Sequence, residues 1–152
     1  GDRAEWVRIV AEKIVPRVAQ EKLAAFCDVF CEKGVFTVEE SRTVLAAARR
    51  AGLGLRVHAD ELARSGGAML AAELSAASAD HLLMIGDASI AALSKSDTVA
   101  IMLPGTPFFL GMAERAPARR LIEGYVRIPQ RAIDDPGYLL ERAATRAAVV
   151  AD

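Results

Sequence analysis

The chain holds two histidines, and both stand among carboxylates at the ends of short apolar runs. His58 opens His58-Ala59-Asp60-Glu61, and His81 closes Ser78-Ala79-Asp80-His81 ahead of Leu82. Asp28 and Glu32 lie at or just after an earlier apolar run. Imidazole and carboxylate gathered in one place can hold a divalent metal and a water. Neutral imidazole is a good ligand for zinc or ferrous iron, and such a metal brings the pKa of bound water toward ~7. A nearby carboxylate can orient that water and carry its proton. Residue types alone leave plainer readings open. A lone histidine is more often packed or superficial than a ligand. Asp60 could simply cap the next element, and Asp80 could be an ordinary strand-end acid. Pro104-Gly105-Thr106 reads as a turn, with Phe108 and Phe109 in the loop after it.

Such groups need a scaffold that brings strand ends together. The segment from Glu5 to Lys22 reads as a helix, with Trp6, Ile9, Val10, Ile14 and Ala19 near helical spacing and Pro16 as a kink or break. The apolar run Leu23 to Cys31 suits a strand buried on both faces. Thr37-Val38-Glu39-Glu40 is a capping box that should start a helix from Val38 to about Ala51, with Val38, Val44, Leu45 and Ala48 toward the sheet and Gly52 closing it. The alternation then repeats: strand over Leu53–Ala59, helix over Gly67–Ala77, a short apolar run over Ala79–Met84, helix over Ala88–Ser94. Thr98–Leu103 is the clearest strand, and Pro117–Glu123 a further helix with Pro117 in its first turn. Strands recurring at roughly 25-residue intervals predict βα units and a parallel sheet, in which chemistry gathers at the strand ends. Tyr125–Ile128 could add a fifth strand, Asp134-Asp135-Pro136-Gly137 is a turn, and Tyr138–Val150 should be helical.

Composition narrows the partners. With 152 residues, 53% hydrophobic and 26% charged, the chain can build one domain with a real core. A net charge of -1 gives no electrostatic case for nucleic acid or an anionic membrane. No apolar run reaches the ~18–20 residues of a membrane span, and Gly1-Asp2-Arg3-Ala4-Glu5-Trp6 has no signal-peptide core. Cys27 and Cys31 are too sparse for a disulfide framework or a zinc knuckle. They read as buried thiols on or beside a strand, in a reducing, cytoplasmic compartment.

Taken in order, Phe26-Cys27-Asp28-Val29-Phe30-Cys31-Glu32-Lys33-Gly34-Val35-Phe36, Ser41-Arg42, His58-Ala59-Asp60-Glu61, Ser78-Ala79-Asp80-His81-Leu82 and Thr98-Val99-Ala100-Ile101-Met102-Leu103-Pro104-Gly105-Thr106 resemble the imidazolonepropionases. These are metal-dependent hydrolases of the amidohydrolase superfamily. The motifs extend over about Glu5 to Gly124 and resemble the central part of such a chain. The resemblance implies an α/β fold: a partial (β/α)8 TIM-type barrel of about four to five βα units. Residues 1–124 would form that part of the barrel, and residues 125–152 a divergent, helical C-terminal segment. The implied reaction is hydrolysis of the cyclic amide of 4-imidazolone-5-propanoate to N-formimidoyl-L-glutamate in histidine degradation. By position, His58 looks like the metal-binding histidine. Glu61 looks like the catalytic carboxylate that contacts substrate and water, and His81 like the second catalytic imidazole beside the scissile carbonyl. One divalent metal, zinc or iron, is the implied cofactor.

Two parts of the family pattern have no counterpart. The early His-x-His pair is absent, and so is the late Thr-Asp-x-Asn-Pro-Gly segment, which Asp134-Asp135-Pro136-Gly137 resembles only superficially. One of about four expected metal ligands is then present, so the isolated chain should bind metal weakly. A closed barrel typically needs ~250 residues, and an open one exposes strand edges. The chain alone is expected to form a homodimer or to be poorly soluble. Beside the enzyme reading stand a non-catalytic half-barrel with a structural or oligomerising role, and a truncated or frame-shifted product.

Overall fold

The computed structural model describes residues 2–124. The expected strand at Tyr125–Ile128, the turn at Asp134–Gly137 and the helix at Tyr138–Val150 lie outside them.

The N-terminal helix is divided at the position its proline demands. It comprises α1 (Arg3–Ile9), a π-helical turn (Val10–Ile14) and α2 (Val15–Gln20). Proline has no N–H and its ring crowds the carbonyl a turn earlier, so an α-helix cannot pass through Pro16 undisturbed. Here the turn before it widens, and the Val15 N–H donates to the Val10 carbonyl. The wider turn shifts the buried stripe. Val7, Ala11 and Val15 are buried, whereas Trp6 is 52% and Ile14 41% exposed. Trp6 and Ile14, which helical spacing groups with Ile9 and Val10, thus lie one position off the buried stripe.

Four parallel strands come next, β1 (Phe26–Cys31), β2 (Gly54–Ala59), β3 (Ser78–His81) and β4 (Val99–Ile101), in the spatial order β1-β2-β3-β4. Each crosses over through helix: α3 (Val38–Arg50), α4 (Gly67–Glu73) and α5 (Asp87–Leu93), with α6 (Gly105–Phe109) and α7 (Ala118–Gly124) after β4. Consecutive helices touch one another, α3 on α4 and α4 on α5, so they form one layer. A sheet that adds each new strand at the same edge, under one helical layer, is an α/β arrangement compatible with part of a TIM-type barrel.

The helix layer buries one sheet face. In β2, Leu55, Val57 and Ala59 are buried and alternate with half-buried Gly54, Arg56 and His58. β1 repeats this with Val29 and Cys31 buried and Asp28 exposed, so the strand is buried on one face only. The charge inside its apolar run marks the other face. Cys27 and Cys31 are unpaired thiols, half-buried and buried. Burial, with nearby carboxylates, pushes both above the ordinary thiol value.

Helix ends obey sequence chemistry closely. Thr37 and Glu40 form the expected capping box on α3. Its C-terminus turns at Gly52 (φ +86), whose N–H donates to Arg49 while that of Leu53 donates to Ala48. Gly67 has a different reason. A Cβ there would lie 3.0 Å from the Ala59 Cα and 3.2 Å from the Cys31 Cβ, so glycine lets α4 start directly over β1 and β2. α4 stops at Glu73, short of the expected Ala77, in a left-handed turn at Ser75. The expected strand to Met84 ends at His81, where the backbone also turns left-handed. β4 is correspondingly shorter than Thr98–Leu103, since its three residues pair with Ser78, Ala79 and Asp80 alone. Pro104 precedes a short helix that replaces the expected loop at Phe108 and Phe109. Pro117 flanks α7, which begins one residue later.

Candidate active site

The face of the sheet away from the helices carries the candidate functional side chains. Phe30, His58 and Asp80 stand in register across β1, β2 and β3. In a parallel sheet, residues in register project to the same face. Asp28, two residues before Phe30, shares that face. Its Oδ1 lies 2.9 Å from the Nδ1 of His58, which is packed edge-on to the Phe30 ring at 6.0 Å.

β3 supplies two functional groups from adjacent residues, which a regular strand would send to opposite faces. His81 is in register with Ala59, on the helix side. Left-handed backbone at His81 (φ +75) and Leu82 (φ +61) breaks the alternation there. The His81 ring consequently sits 5.1 Å from that of His58, and its Nε2 is 3.5 Å from the Oε2 of Glu61. Asp80 is 8% exposed, and its Oδ1 has no hydrogen-bond partner among the described residues.

These groups shift one another in opposite directions. The hydrogen bond that His58 donates to Asp28 raises His58 above the ordinary imidazole value, with the charges of Asp28, Asp80 and Glu61 adding to it against the opposing effect of burial. Burial lowers His81, and neighbouring His58 pushes the same way, although Glu61 pulls against both. Burial, with the charge of Asp28, raises Asp80. Two imidazoles with opposed tendencies are suited to different roles, one charged or metal-bound and one neutral.

The donor set fits a divalent cation. Asp28, His58 and Asp80 each offer a ligand atom, all within 4.8 Å of one another. Asp28 already engages Nδ1 of His58, which leaves Nε2 as that ring's free nitrogen. The unpartnered Asp80 oxygen is a second donor.

The loop after β2 is organised by two buried carboxylates. Asp60, fully buried with φ +50, accepts the backbone N–H groups of Ser65 (2.7 Å), Gly66 (2.8 Å) and Ala68 (3.2 Å). It thus caps the start of α4, as its place in the sequence allowed. Glu32 accepts from the loop as well. Burial opposes its charge, but hydrogen bonds from Ser65 and from backbone N–H groups of Leu62, Lys33 and Ala63 outweigh that and hold its pKa below the ordinary value.

The three residues expected to carry chemistry, His58, Glu61 and His81, are therefore brought together. Phe108 and Phe109 are not part of the cluster: they lie on α6, 81% and 88% exposed. The pairing of Asp28 with His58 was not anticipated. The signal for it was the charge inside an otherwise apolar strand, two residues before a position that aligns with the histidine.

No protein-family model matches the chain. Among curated proteins, the imidazolonepropionase of Anaeromyxobacter dehalogenans (strain 2CP-1 / ATCC BAA-258) is 50% identical over 137 residues, covering 90% of this chain and 32% of its own. The resemblance is to imidazolonepropionases. That of Desulfotalea psychrophila is 46% identical over 136 residues, 90% of this chain and 33% of its own. That of Shouchella clausii is 48% identical over 132 residues, 87% of this chain and 29% of its own. The chain thus spans about a third of the length of the imidazolonepropionases it matches. With 137 residues matched, the likeness runs past Gly124 into the C-terminal segment, further than the recognised motifs reach.

Proposed function

We propose that this chain contributes part of the active site of a hydrolase that opens the cyclic amide of 4-imidazolone-5-propanoate, giving N-formimidoyl-L-glutamate in histidine degradation. The observation that carries this reading is the meeting of His58, Glu61 and His81 at the C-terminal ends of β2 and β3, in a chain 50% identical over 137 residues to an imidazolonepropionase.

His58, through Nε2, and Asp80, through its unpartnered oxygen, would hold one divalent metal, zinc or iron. When bound, that metal supplies a Lewis acid that lowers the pKa of a water. Asp28 accepts the Nδ1 proton of His58 and fixes its tautomer. Glu61 binds the substrate and takes a proton from the water that adds to the carbonyl carbon. As the ring C–N bond breaks, the proton taken up by Glu61 passes to the departing nitrogen. His81, whose neutral form burial favours, stands with its Nε2 3.5 Å from the Glu61 carboxylate and would donate through that nitrogen, to Glu61 in the free site and to the reacting carbonyl in the loaded one.

Residues 1–124 act in this reading as one stretch of barrel. The unpaired thiols agree with a cytoplasmic setting. Among the described residues, no helix is long and apolar enough to cross a membrane. The chain alone should self-associate as a homodimer through its open strand edges. A single monomeric species by light scattering across concentrations would remove that expectation.

A segment exchange tests the function. The matching stretch of the Anaeromyxobacter dehalogenans relative is replaced by this chain, and consumption of 4-imidazolone-5-propanoate is measured. The chimera should turn over. His58→Ala, Glu61→Gln and His81→Ala should each lower the rate by at least ~100-fold. A folded chimera without turnover, or one indifferent to all three changes, would overturn the reading.

A further inference from the structure

Glu61 stands on a loop, and a glutamate there is useful only if its backbone is held. The loop is held from both neighbouring strands. From the β3 side, the Leu82 N–H donates to the Ala59 carbonyl at 3.1 Å and the Met84 N–H to that of Asp60 at 2.8 Å. From the β1 side comes Glu32, 1% exposed. Its Oε2 accepts the backbone N–H groups of Glu61 and Leu62, both at 2.9 Å. Its Oε1 accepts the Lys33 N–H at 2.9 Å and the Ser65 hydroxyl. Ser65 in turn donates its own N–H to Asp60, so it ties the two buried carboxylates together.

No cation pairs with Glu32 among the described residues. Burying a carboxylate without one is costly unless several hydrogen bonds replace water. Here the backbone N–H groups of Glu61, Leu62, Ala63 and Lys33 and the Ser65 hydroxyl converge on it. Hydrogen bonds to a charged acceptor are shorter and stronger than neutral ones. A charged clamp on two successive amides is therefore a stiff way to fix one residue of the loop.

We propose that Glu32 is the positioning residue for Glu61. By gripping the Glu61 and Leu62 amides it sets where the Glu61 carboxylate meets His81. The significance of that contact rests on the hydrolase reading above; the clamp itself does not.

The test uses the 15N- and 13C-labelled 152-residue chain and its Glu32→Gln and Ser65→Ala variants. Glu32→Gln should move the Glu61 and Leu62 amide protons upfield and speed their exchange by at least ~10-fold, while the amides of Val57 and Ala79 keep their protection. The nuclear Overhauser contact between the Glu61 side chain and the His81 ring should be lost. Ser65→Ala should leave that contact in place and speed exchange at Glu61 and Leu62 less. A folded Glu32→Gln chain with both amides and the contact unchanged would overturn the proposal. If Glu32→Gln does not fold, Ser65→Ala decides: faster exchange at Glu61 and Leu62 than at Val57 supports the clamp, and equal exchange refutes it. Loss of turnover in the segment exchange with the contact intact would count against the hydrolase reading and leave the clamp standing.

Discussion

Nδ1 of His58 and Oδ1 of Asp28 are 2.9 Å apart across β1 and β2, joining side chains thirty positions apart in the chain. A carboxylate on one imidazole nitrogen fixes the tautomer and makes the other nitrogen a better metal ligand. The same carboxylate also favours the protonated ring, so a metal at His58 must compete with a proton.

Removing this partner should weaken metal binding. Asp28→Asn is expected to lower the affinity of the chain for zinc by about 10–100-fold, and His58→Ala more. Calorimetric titration measures it. Binding should also weaken as the pH falls from 8 to 6, as His58 takes up a proton. An Asp28→Asn chain that binds zinc as tightly as the parent would show that Asp28 orients nothing.

Acid should act through the contact between the N-terminal helix and α3. Arg3 holds both oxygens of Glu40 at 2.6 and 2.8 Å, and with the Thr37 N–H it brings the Glu40 carboxyl down to about 2, from an ordinary 4.5. A carboxyl depressed on folding adds stability above its unfolded value, and loses it as pH falls from about 4.5 toward 2. Arg3→Ala should return the Glu40 titration toward 4.5 and flatten the decline of melting temperature over that range. Carbon-detected titration of Glu40 checks the first effect and melting curves the second. An unmoved titration would mean the ion pair is not formed in solution.

The loop carboxylate Asp60 should matter more for stability than any exposed ion pair. Asp60→Ala leaves three backbone N–H groups without their acceptor, at the start of α4. The expected cost is roughly 3 kcal/mol, read from urea unfolding. A loss below roughly 0.5 kcal/mol, the scale of an ordinary surface change, would mean that water takes over the donors freely.

Ser75 offers the opposite sign. It ends α4 in a left-handed conformation (φ +43), with the Ala76 N–H reaching back to Ala71. Glycine carries no Cβ penalty in that region, so Ser75→Gly should raise stability by about 1 kcal/mol. At Gly52, in the equivalent place after α3, the change to alanine should lower it by a similar amount. Equal stability of Ser75→Gly and the parent would indicate that the turn relaxes in solution.

Periodicity and caps made much of the fold legible. The Thr37 capping box, Gly52, and the apolar runs at β1 and β2 describe their elements to within a few residues, because each is decided by neighbours in sequence. Of the segments that ran short, α4 and β3 were ended by left-handed residues that are not glycine. Nothing local marks Ser75 or His81 as such. The stripe on the N-terminal helix was misplaced because a proline signals disruption without saying that a π turn will absorb it. At the site, residue types drew attention to the two histidines and the carboxylates around them, and the resemblance singled out His58, Glu61 and His81. The links from Asp28 to His58 and from Glu32 to Glu61 depend on strand register, which a linear reading does not contain.

The left-handed pair His81 and Leu82 has a further meaning. Each carries a side chain where the backbone would prefer none, at a penalty of roughly 1–2 kcal/mol. Drift toward a sturdier chain would put glycine at position 81, and in doing so would erase the imidazole. A sequence-design procedure that rewards only folding would make the same replacement. In the reading proposed above, robustness and chemistry ask for different residues at position 81.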